Sequence, residues 1–482
     1  MPGLVWAPAG HPSQRRALPG LVPVAVAALL GAAVGSRSPV LIAIVLLLFL
    51  LVVTARPQRA VILFTGLFYL NLPVVIGAHV GGSSMLSSAV ALLLVGPVLC
   101  YLVIGRRPLV VTPALVLIVL YMVVLVLSAI VAGEGRTDSV EPIKTFLTEG
   151  LLLYLLVTNV VRSPAQLRAV IWTLMLAGAL MGLVSLWQEA THAYHTTLGG
   201  FAQLDATGLE HGGRPRLAGP IGEKNRYAQV LLVLLPLAVA RVRAERLRSL
   251  RLLGVACGAL ILCGVMLTFS RGAAVALGLL VPAMWAAKLI SGRQVLAGVL
   301  AIAVMVAIVA PDYVTRVQTL GSSDAAFSQS KGSDAAIQGR ATENLAALHV
   351  FRDHPLLGVG PGQFFSRYSS QYGNALNLRF LSTQRRAHSL YLEIAADTGL
   401  LGLATFLAIV GVTMGQLWKQ SVFWRARDPE LALLAQGLLL ALLAYLSSGL
   451  FLQMAYQRYF WFLLALANAA VWMLRRQRPT AR

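Results

Sequence analysis

Apolar segments long enough to cross a bilayer recur along this 482-residue chain. A membrane-spanning helix needs about 20 apolar residues, so fourteen such segments would account for most of the apolar sequence. Hydrophobic residues make up 58% of the chain and charged residues only 12%, about half the charge of a soluble domain. This excludes a soluble enzyme, a secreted disulfide-bonded protein and a disordered tail. We therefore expect an all-α polytopic membrane protein with about 12–14 transmembrane helices. The apolar segments fall roughly at 21–35, 39–55, 60–80, 85–105, 112–132, 146–161, 169–190, 227–242, 252–269, 273–290, 295–310, 389–418, 431–453 and 456–474.

The basic residues are distributed unevenly between the connections that join these segments. If the amino terminus lies in the cytoplasm, 22 of the 39 Lys and Arg residues fall on the cytoplasmic side, with only 3 of the 18 acidic residues. The remaining 17 basic and 15 acidic residues nearly balance. The net charge of +21 therefore reflects the positive-inside rule and contact with anionic membrane lipids, and we expect no nucleic-acid partner. Both termini are predicted to be cytoplasmic.

This topology divides the chain into five parts. We expect N-terminal membrane helices over 1–190, an outer loop over 191–226, central helices over 227–310, a large outer loop over 311–388 and C-terminal helices over 389–482. Loops of this length are usually functional. The large loop is expected to contain short helices, among them an amphipathic helix at about 342–353. Its apolar face would carry Leu345, Leu348 and Phe351, and Pro355 would stop it.

Cations cluster at the end of the first outer loop, where topology does not call for them. Arg214, Arg216, Lys224 and Arg226 lie within 13 residues, with Asn225 among them. Arginine binds phosphate through two parallel hydrogen bonds, so the cluster is a candidate anion site. Contact with lipid headgroups by snorkelling is an equally good interpretation for any one of these residues.

Further candidates lie at the outer ends of later segments. Arg271 occupies a tight turn between two segments, followed by Gly272, and Arg340 lies in the large loop. Gly358 and Gly360, with a third glycine two residues on, permit backbone turns that aim N–H groups at an anion or a sugar, although a plain structural turn is the more common outcome.

His388 precedes the twelfth apolar segment and follows two arginines. Histidine accepts a proton near neutral pH, and neighbouring cations favour its neutral form, so His388 is a candidate general base. A structural histidine is the alternative. The three cysteines, all inside apolar segments, show neither metal-binding spacing nor a disulfide framework, and we expect no metal and no cofactor.

The order and spacing of these motifs resemble those of the O-antigen ligases and polymerases, bacterial membrane glycosyltransferases that use glycans linked to undecaprenyl diphosphate. The resemblance extends over about 212–405. It is carried by His388-x-x-Tyr391-Leu392-Glu393 with Thr398-Gly399, by Ser270-Arg271-Gly272, by Gly339-Arg340, by Pro355-Leu-Leu-Gly358-Val-Gly360-Pro-Gly362, and by Arg216-x-x-Gly219 with Asn225.

The resemblance implies an inverting, metal-independent transfer on the periplasmic face of the bacterial inner membrane. Arg216, Arg271 and Arg340 would hold the pyrophosphate of the donor and His388 would deprotonate the acceptor hydroxyl. We expect Arg271 and His388 to be catalytic, and Arg216, Lys224, Asn225, Arg226, Arg340, Gly358 and Gly360 to bind the pyrophosphate or the glycan.

Two reactions share these motifs. A ligase moves a finished glycan to lipid A–core, which we favour slightly, and a polymerase joins lipid-linked repeat units into O-antigen or exopolysaccharide. A transporter of lipid-linked sugars is a more distant alternative, because charge here avoids the middle of the apolar segments, where transporters commonly place it.

Overall fold

The computed structural model describes residues 57–75, 101–102, 105–205, 215–309, 335–375, 384–453 and 458–478. The two first apolar segments, most of 76–105, both chain termini and residues 310–334 lie outside the described residues. The predicted helix count and the five-part division therefore stay predictions.

Helices dominate the described residues, and β-structure among them is limited to one short antiparallel pair, β1 (Gln203–Leu204) with β2 (Leu217–Gly219). The α-helices are α1 (Pro57–Tyr69), α2 (Pro113–Val131), α3 (Arg136–Thr145), α4 (Leu153–Val160), α5 (Pro164–Ala190), α6 (Lys224–Leu232), α7 (Leu234–Ala244), α8 (Arg248–Leu267), α9 (Arg271–Ala286), α10 (Gly292–Val309), α11 (Ala335–Asp353), α12 (Ser369–Ala375), α13 (Leu390–Trp424), α14 (Pro429–Ser448) and α15 (Arg458–Arg476). Short π-helical segments cover Phe146–Leu152 and Phe364–Tyr368, and 3₁₀ turns cover Gly133–Gly135 and Leu198–Gly200.

Seven helical segments within the described residues are long and apolar enough to cross a membrane. The all-α polytopic membrane fold is thereby confirmed. These segments are Pro113–Val131, Arg136–Val160, Pro164–Ala190, Lys224–Ala244, Arg248–Leu267, Leu390–Trp424 and Pro429–Ser448.

The centre of the bundle consists of helices that are apolar on every side. Nearly all side chains of α15 are buried, including Trp461, Phe460 and Phe462, and α14 is buried almost as fully. A helix that is hydrophobic all round belongs in a core. In contrast, α2, α8 and α9 expose large side chains such as Val116, Leu252 and Leu279. Exposed apolar faces of this extent are suited to contact with lipid.

Small residues bring α5 and α8 together. Gly182 of α5 lies against Gly264 of α8, and a Cβ atom on Gly182 would be 2.1 Å from the carbonyl oxygen of Leu260. In a bilayer, close contact between backbones supplies much of the attraction between helices. The contact fixes α5 beside α8, whose carboxyl end leads directly into the turn that carries Arg271.

One end of the bundle, which we call the loop side, collects residues 215–226, 268–272, 335–375 and 384–389. Three of its helices begin at side-chain caps. Glu223 accepts from the backbone N–H groups of Asn225 and Arg226, Ser270 accepts from Ala273, and Ser389 accepts from Leu392. These caps satisfy backbone donors that a helix leaves open at its first turn, and they fix where α6, α9 and α13 begin.

The helix predicted at about 342–353 is present, but its extent and its buried face differ from the prediction. It begins at Ala335 and ends at Asp353, just before Pro355 as expected. The predicted apolar face is wrong, since Leu348 is 40% exposed whereas Ala346, Ala347 and Val350 are fully buried. The alanines allow α11 to approach its neighbours closely, and Glu343 lies on the same buried face.

Candidate active site

Three separate parts of the chain meet around His388. The Ser270 hydroxyl donates to Asn225 Oδ1 at 2.7 Å, which joins the turn before α9 to the start of α6. The same turn reaches the C-terminal part of the chain through Gly272, where a Cβ atom would lie 3.3 Å from the Phe451 side chain. The backbone of Phe451 in turn faces the His388 ring. The sequence-predicted residues Asn225, Arg226, Arg271 and His388 therefore belong to one region.

His388 lies directly against a buried acid. Its Nε2 atom is 3.3 Å from Glu343 Oε2, and the Glu343 side chain is 5% exposed. Burial, together with Arg340, Arg226 and Arg385, lowers the pKa of His388 to about 3. Burial raises the pKa of Glu343 to about 7, against the opposing effect of Arg385 and Arg340. The imidazole is therefore neutral at neutral pH, which is the form that can accept a proton.

Three guanidinium groups act electrostatically on this pair. Arg340 comes from α11, Arg385 from the segment before α13, and Arg226 from α6. Arg226 also lies 3.9 Å from the Glu223 carboxylate, so part of this charge is balanced within the protein. Because arginine binds phosphate oxygens through charge-assisted hydrogen bonds, this group of arginines is a candidate anion site.

Arg226 is held in place by its surroundings. Its side chain is buried, its Nη1 atom donates to the carbonyl oxygen of Gln453, and its Nε atom is 3.9 Å from Glu223 Oε2. Asn225 is fixed in a similar way, because its amide nitrogen donates to Glu223 Oε1 at 2.8 Å while its oxygen accepts from Ser270. Glu223 therefore positions both predicted binding residues.

Arg271 is half-buried at the first position of α9. A cation opposes the helix macrodipole at this end, so its placement there carries an electrostatic cost. A bound anion would relieve that cost, since both the helix terminus and the guanidinium group attract negative charge.

Lys224 forms a buried ion pair. Its Nζ atom is 3.2 Å from Asp205 Oδ2, and its backbone N–H donates to the same oxygen at 3.2 Å. Asp205 in turn donates its own N–H to the Arg216 carbonyl at 2.9 Å. Arg216 and Lys224 are thus connected through Asp205, and this network closes the loop that follows α5. A substrate role for Lys224 and Arg216 remains a prediction.

The glycine turn after α11 docks onto α13. Gly358, Gly360 and Gly362 all have positive φ. Their N–H groups donate to the His354 carbonyl at 3.1 Å, the Asp397 carbonyl at 2.9 Å and the Asp397 carboxylate at 2.9 Å respectively. The expectation that Gly358 and Gly360 aim N–H groups at an anion therefore does not match this structure, in which both donors bind protein oxygens. Binding of a glycan by this turn in another way stays a prediction.

Four acidic residues at the loop side make contacts that were not predicted from the sequence. They are Asp205, Glu223, Glu343 and Asp397. One feature of the sequence could have indicated Glu343 as a site residue, because it lies three residues after Arg340 on a predicted helix. The partners of the other three become adjacent only in the folded chain.

Among the described residues, no group of three or more His, Cys, Asp or Glu side chains is placed to hold a metal ion. Metal independence stays a prediction.

Residues 256–407, about a third of the chain, match the family model described as O-antigen ligase. This match supports the resemblance of the chain to the O-antigen ligases and polymerases. Arg271, Arg340, Glu343, Gly358, Gly360 and His388 lie inside the matched region, and the Arg216–Arg226 cluster lies before it. A search of curated proteins gave no match.

The family match agrees with the resemblance drawn from the motifs. It indicates a function of the O-antigen ligase or polymerase kind, in a membrane that contains lipid-linked glycans. The family covers both reactions, and the match does not distinguish them.

Proposed function

We propose that the protein is a glycosyltransferase of the bacterial inner membrane that moves a glycan from undecaprenyl diphosphate to an acceptor hydroxyl on the periplasmic face. The acceptor we favour is lipid A–core, which makes the protein a ligase. The observation that carries the proposal is the convergence of Arg226, Arg340 and Arg385 on a neutral, partly buried His388. Arg271 lies in the adjoining turn.

The proposed chemistry follows from the charges. A diphosphate is a good leaving group once its developing charge is stabilised, and the arginines provide fixed positive charge for this purpose. His388 takes the hydroxyl proton of the acceptor while the oxygen attacks the anomeric carbon from the opposite face, which inverts the configuration. The diphosphate also adds negative charge near the imidazole, so donor binding raises the pKa of His388 and strengthens it as a base.

The test is transfer in proteoliposomes that contain purified protein, lipid-linked glycan and acceptor. We expect His388→Ala to lose most of the roughly 10²–10⁴-fold contributed by a general base. Arg271→Ala and Arg340→Ala each remove a charge-assisted contact of about 1.5–3 kcal/mol, with only partial recovery by Lys. The matched control is Arg352→Ala, which changes an exposed cation on the same helix as Arg340. Transfer by all three site variants at the rate of this control would reject the proposed site.

The polymerase alternative uses the same arginines and the same base with a second lipid-linked glycan as acceptor. A deletion strain separates the two reactions. Accumulation of long lipid-linked polymer indicates a ligase, and accumulation of single repeat units indicates a polymerase.

A further inference from the structure

Three arginines from separate segments lie together at the end of the bundle opposite the loop side. Arg107 lies before α2, Arg162 lies just before α5, and Arg476 is the last residue of α15. We call these three residues the arginine cluster. Their end of the bundle is identified by α13, which begins on the loop side. Thirty residues further along α13, Gln420 Oε1 accepts from Arg478 Nε at 3.3 Å, just beyond the end of α15.

The arginine cluster carries positive charge without an acid beside it. Arg107 and Arg476 both act electrostatically on Arg162, and all three are cations. No carboxylate of the described residues forms an ion pair with any of the three. Glu430, an acid near the same end, contacts Arg168 and Arg241 instead.

Arg162 is held in a way that leaves part of its guanidinium group available. Its Nε atom donates to the Asn159 carbonyl at 2.7 Å, and its Nη2 atom donates to the Pro108 carbonyl at 2.7 Å and to Asn159 Oδ1 at 3.2 Å. These bonds use three of the five donors of the group. The two donors on Nη1 make no hydrogen bond with the described residues, which do not enclose this atom either. The cluster therefore contains a fixed arginine with two donors left for a ligand.

Aromatic rings support the arginine cluster. The Cζ atom of Arg162 lies 4.8 Å from the ring centroid of Tyr101 and 5.6 Å from that of Trp472, and the Cζ atom of Arg476 lies 4.6 Å from the Trp472 ring. Such contacts stabilise cations beside one another, but the rings carry no net charge and leave the charge of the arginines in place. An anion with phosphate oxygens is the ligand that this arrangement favours.

Exposed apolar side chains next to the cluster favour a lipid over a soluble anion. Leu109, Val111 and Val116 follow Arg107 along the chain, and all three are exposed in the described part of the protein. In a bilayer, apolar side chains of this kind contact acyl chains, while arginines near helix ends reach the headgroups. Basic pockets between transmembrane helices on the cytoplasmic side bind headgroups that carry several negative charges.

We infer that the arginine cluster is a binding site for an anionic phospholipid, and that a headgroup with two phosphates, as in cardiolipin, fits it best. Arg162 supplies the fixed donors, and Arg107 and Arg476 supply the remaining positive charge. The bound lipid joins the segment before α2, the start of α5 and the end of α15, and so stabilises this end of the bundle. The site is separate from the proposed glycan transfer at the loop side and does not depend on it.

The first test measures thermal unfolding of the purified full-length protein in a neutral detergent, with either cardiolipin or zwitterionic phosphatidylcholine added. We expect cardiolipin to raise the unfolding temperature, because a ligand that binds only the folded protein stabilises it. Native mass spectrometry of the same samples measures the affinity for the lipid. An equal rise with phosphatidylcholine would overturn the inference, because contact with acyl chains alone would then explain it.

Replacement of Arg476 locates the site. Arg476→Gln removes one charge and should weaken cardiolipin binding about fivefold, since a basic residue near the headgroups contributes roughly 1 kcal/mol. Arg107→Gln should have the same effect, and the double variant should bind about 30-fold more weakly. Neither side chain makes a hydrogen bond with the described residues, so each variant should unfold at the wild-type temperature when no lipid is present.

The matched control is Arg425→Gln, which removes an exposed arginine between α13 and α14, at the same end of the bundle but outside the cluster. It should leave the affinity for cardiolipin unchanged. Equal losses in Arg425→Gln and Arg476→Gln would overturn the inference, because the lipid would then respond only to the total charge of this end. Inorganic pyrophosphate tests the soluble alternative. If it displaces cardiolipin and raises the unfolding temperature as much, the ligand is a soluble anion and the inference is wrong.

Discussion

At the residue scale, the loop side contains cations of two kinds. Lys224 and Arg386 each lie against an acid, Asp205 at 3.2 Å and Glu393 at 2.9 Å. Arg340 and Arg385 act electrostatically on the His388–Glu343 pair. The first kind holds segments of the chain together, because an ion pair out of water depends on both partners. The charge of the second kind acts at the histidine of the candidate active site.

This distinction leads to a stability prediction for Lys224. Both members of the Lys224–Asp205 pair are nearly buried, so Lys224→Met removes a cation 3.2 Å from the Asp205 carboxylate and should lower the free energy of unfolding by about 3–5 kcal/mol. The double variant with Asp205→Asn should recover most of this loss. Thermal unfolding in detergent measures both.

The control is Lys144→Met, which removes a cation from an exposed pair worth little. A Lys224→Met protein that is as stable as this control but has lost transfer would instead assign Lys224 to substrate binding, as the sequence predicted.

At the scale of elements, the docking of the glycine turn on α13 organises the site. The backbone N–H groups of Val359 and Gly360 donate to the carbonyls of Ala396 and Asp397. In the opposite direction, the N–H group of Leu400 in α13 donates to the Pro355 carbonyl. The helix breaks at Gly399, where φ is +65°. Glu343 is on the helix before the glycine turn, and His388 directly precedes α13. The distance between the two residues therefore depends on how the turn docks on α13.

Replacement of Gly399 should therefore weaken the junction. A Cβ atom there would lie 2.3 Å from the backbone carbonyl of Leu356, in a backbone conformation that favours glycine. We expect Gly399→Ala to lower the unfolding temperature and to abolish transfer. Gly411→Ala on the same helix meets nothing within 4 Å and should be neutral or slightly stabilising. Equal unfolding temperatures for the two variants would show that the junction tolerates a side chain at position 399.

At the scale of the whole molecule, the seven spanning segments of the described residues fit the pattern of apolar runs in the sequence. Near the end opposite the loop side, Glu430 contacts Arg168 at 2.9 Å and Arg241 at 3.0 Å. These arginines belong to the charge excess that predicts the cytoplasmic side. One network thus ties the starts of α5 and α14 to the end of α7.

The predicted orientation has a direct test. Reporter fusions at Lys331, in the large loop, and at the carboxyl terminus should report opposite sides of the membrane, the first periplasmic and the second cytoplasmic. A fusion at Arg246, between α7 and α8, should agree with the carboxyl terminus. Reporters at Lys331 and the terminus on the same side would contradict both the topology and the periplasmic site.

The sequence predicted the fold class and the family well, for reasons that are physical. Apolar runs identify spanning helices because the bilayer demands them, and the order of Arg271, Arg340 and His388 is readable in one dimension. The buried face of α11 was predicted wrongly, because the prediction placed the larger side chains Leu345, Leu348 and Phe351 on that face, whereas the small Ala346 and Ala347 are the ones that pack against the neighbouring elements. Glu343 was not chosen as a site residue because its contact with His388 joins residues 45 positions apart. The pairing of Lys224 likewise depends on a loop that only the fold closes.

The bonds between the glycine turn and α13 also constrain the order of events during synthesis. The acceptors at Ala396 and Asp397 leave the ribosome after the donors at Val359 and Gly360, at roughly 5–20 residues per second. During that interval the turn, already on the far side of the membrane by the predicted topology, has no partner for its backbone donors, and Glu343 has not yet met His388. Nascent chains stopped before Leu390 should therefore be cut by protease at the turn over 355–362, while chains long enough for Leu401 to have emerged from the ribosome are protected there. The large loop is completed only when the helix that follows it is inserted.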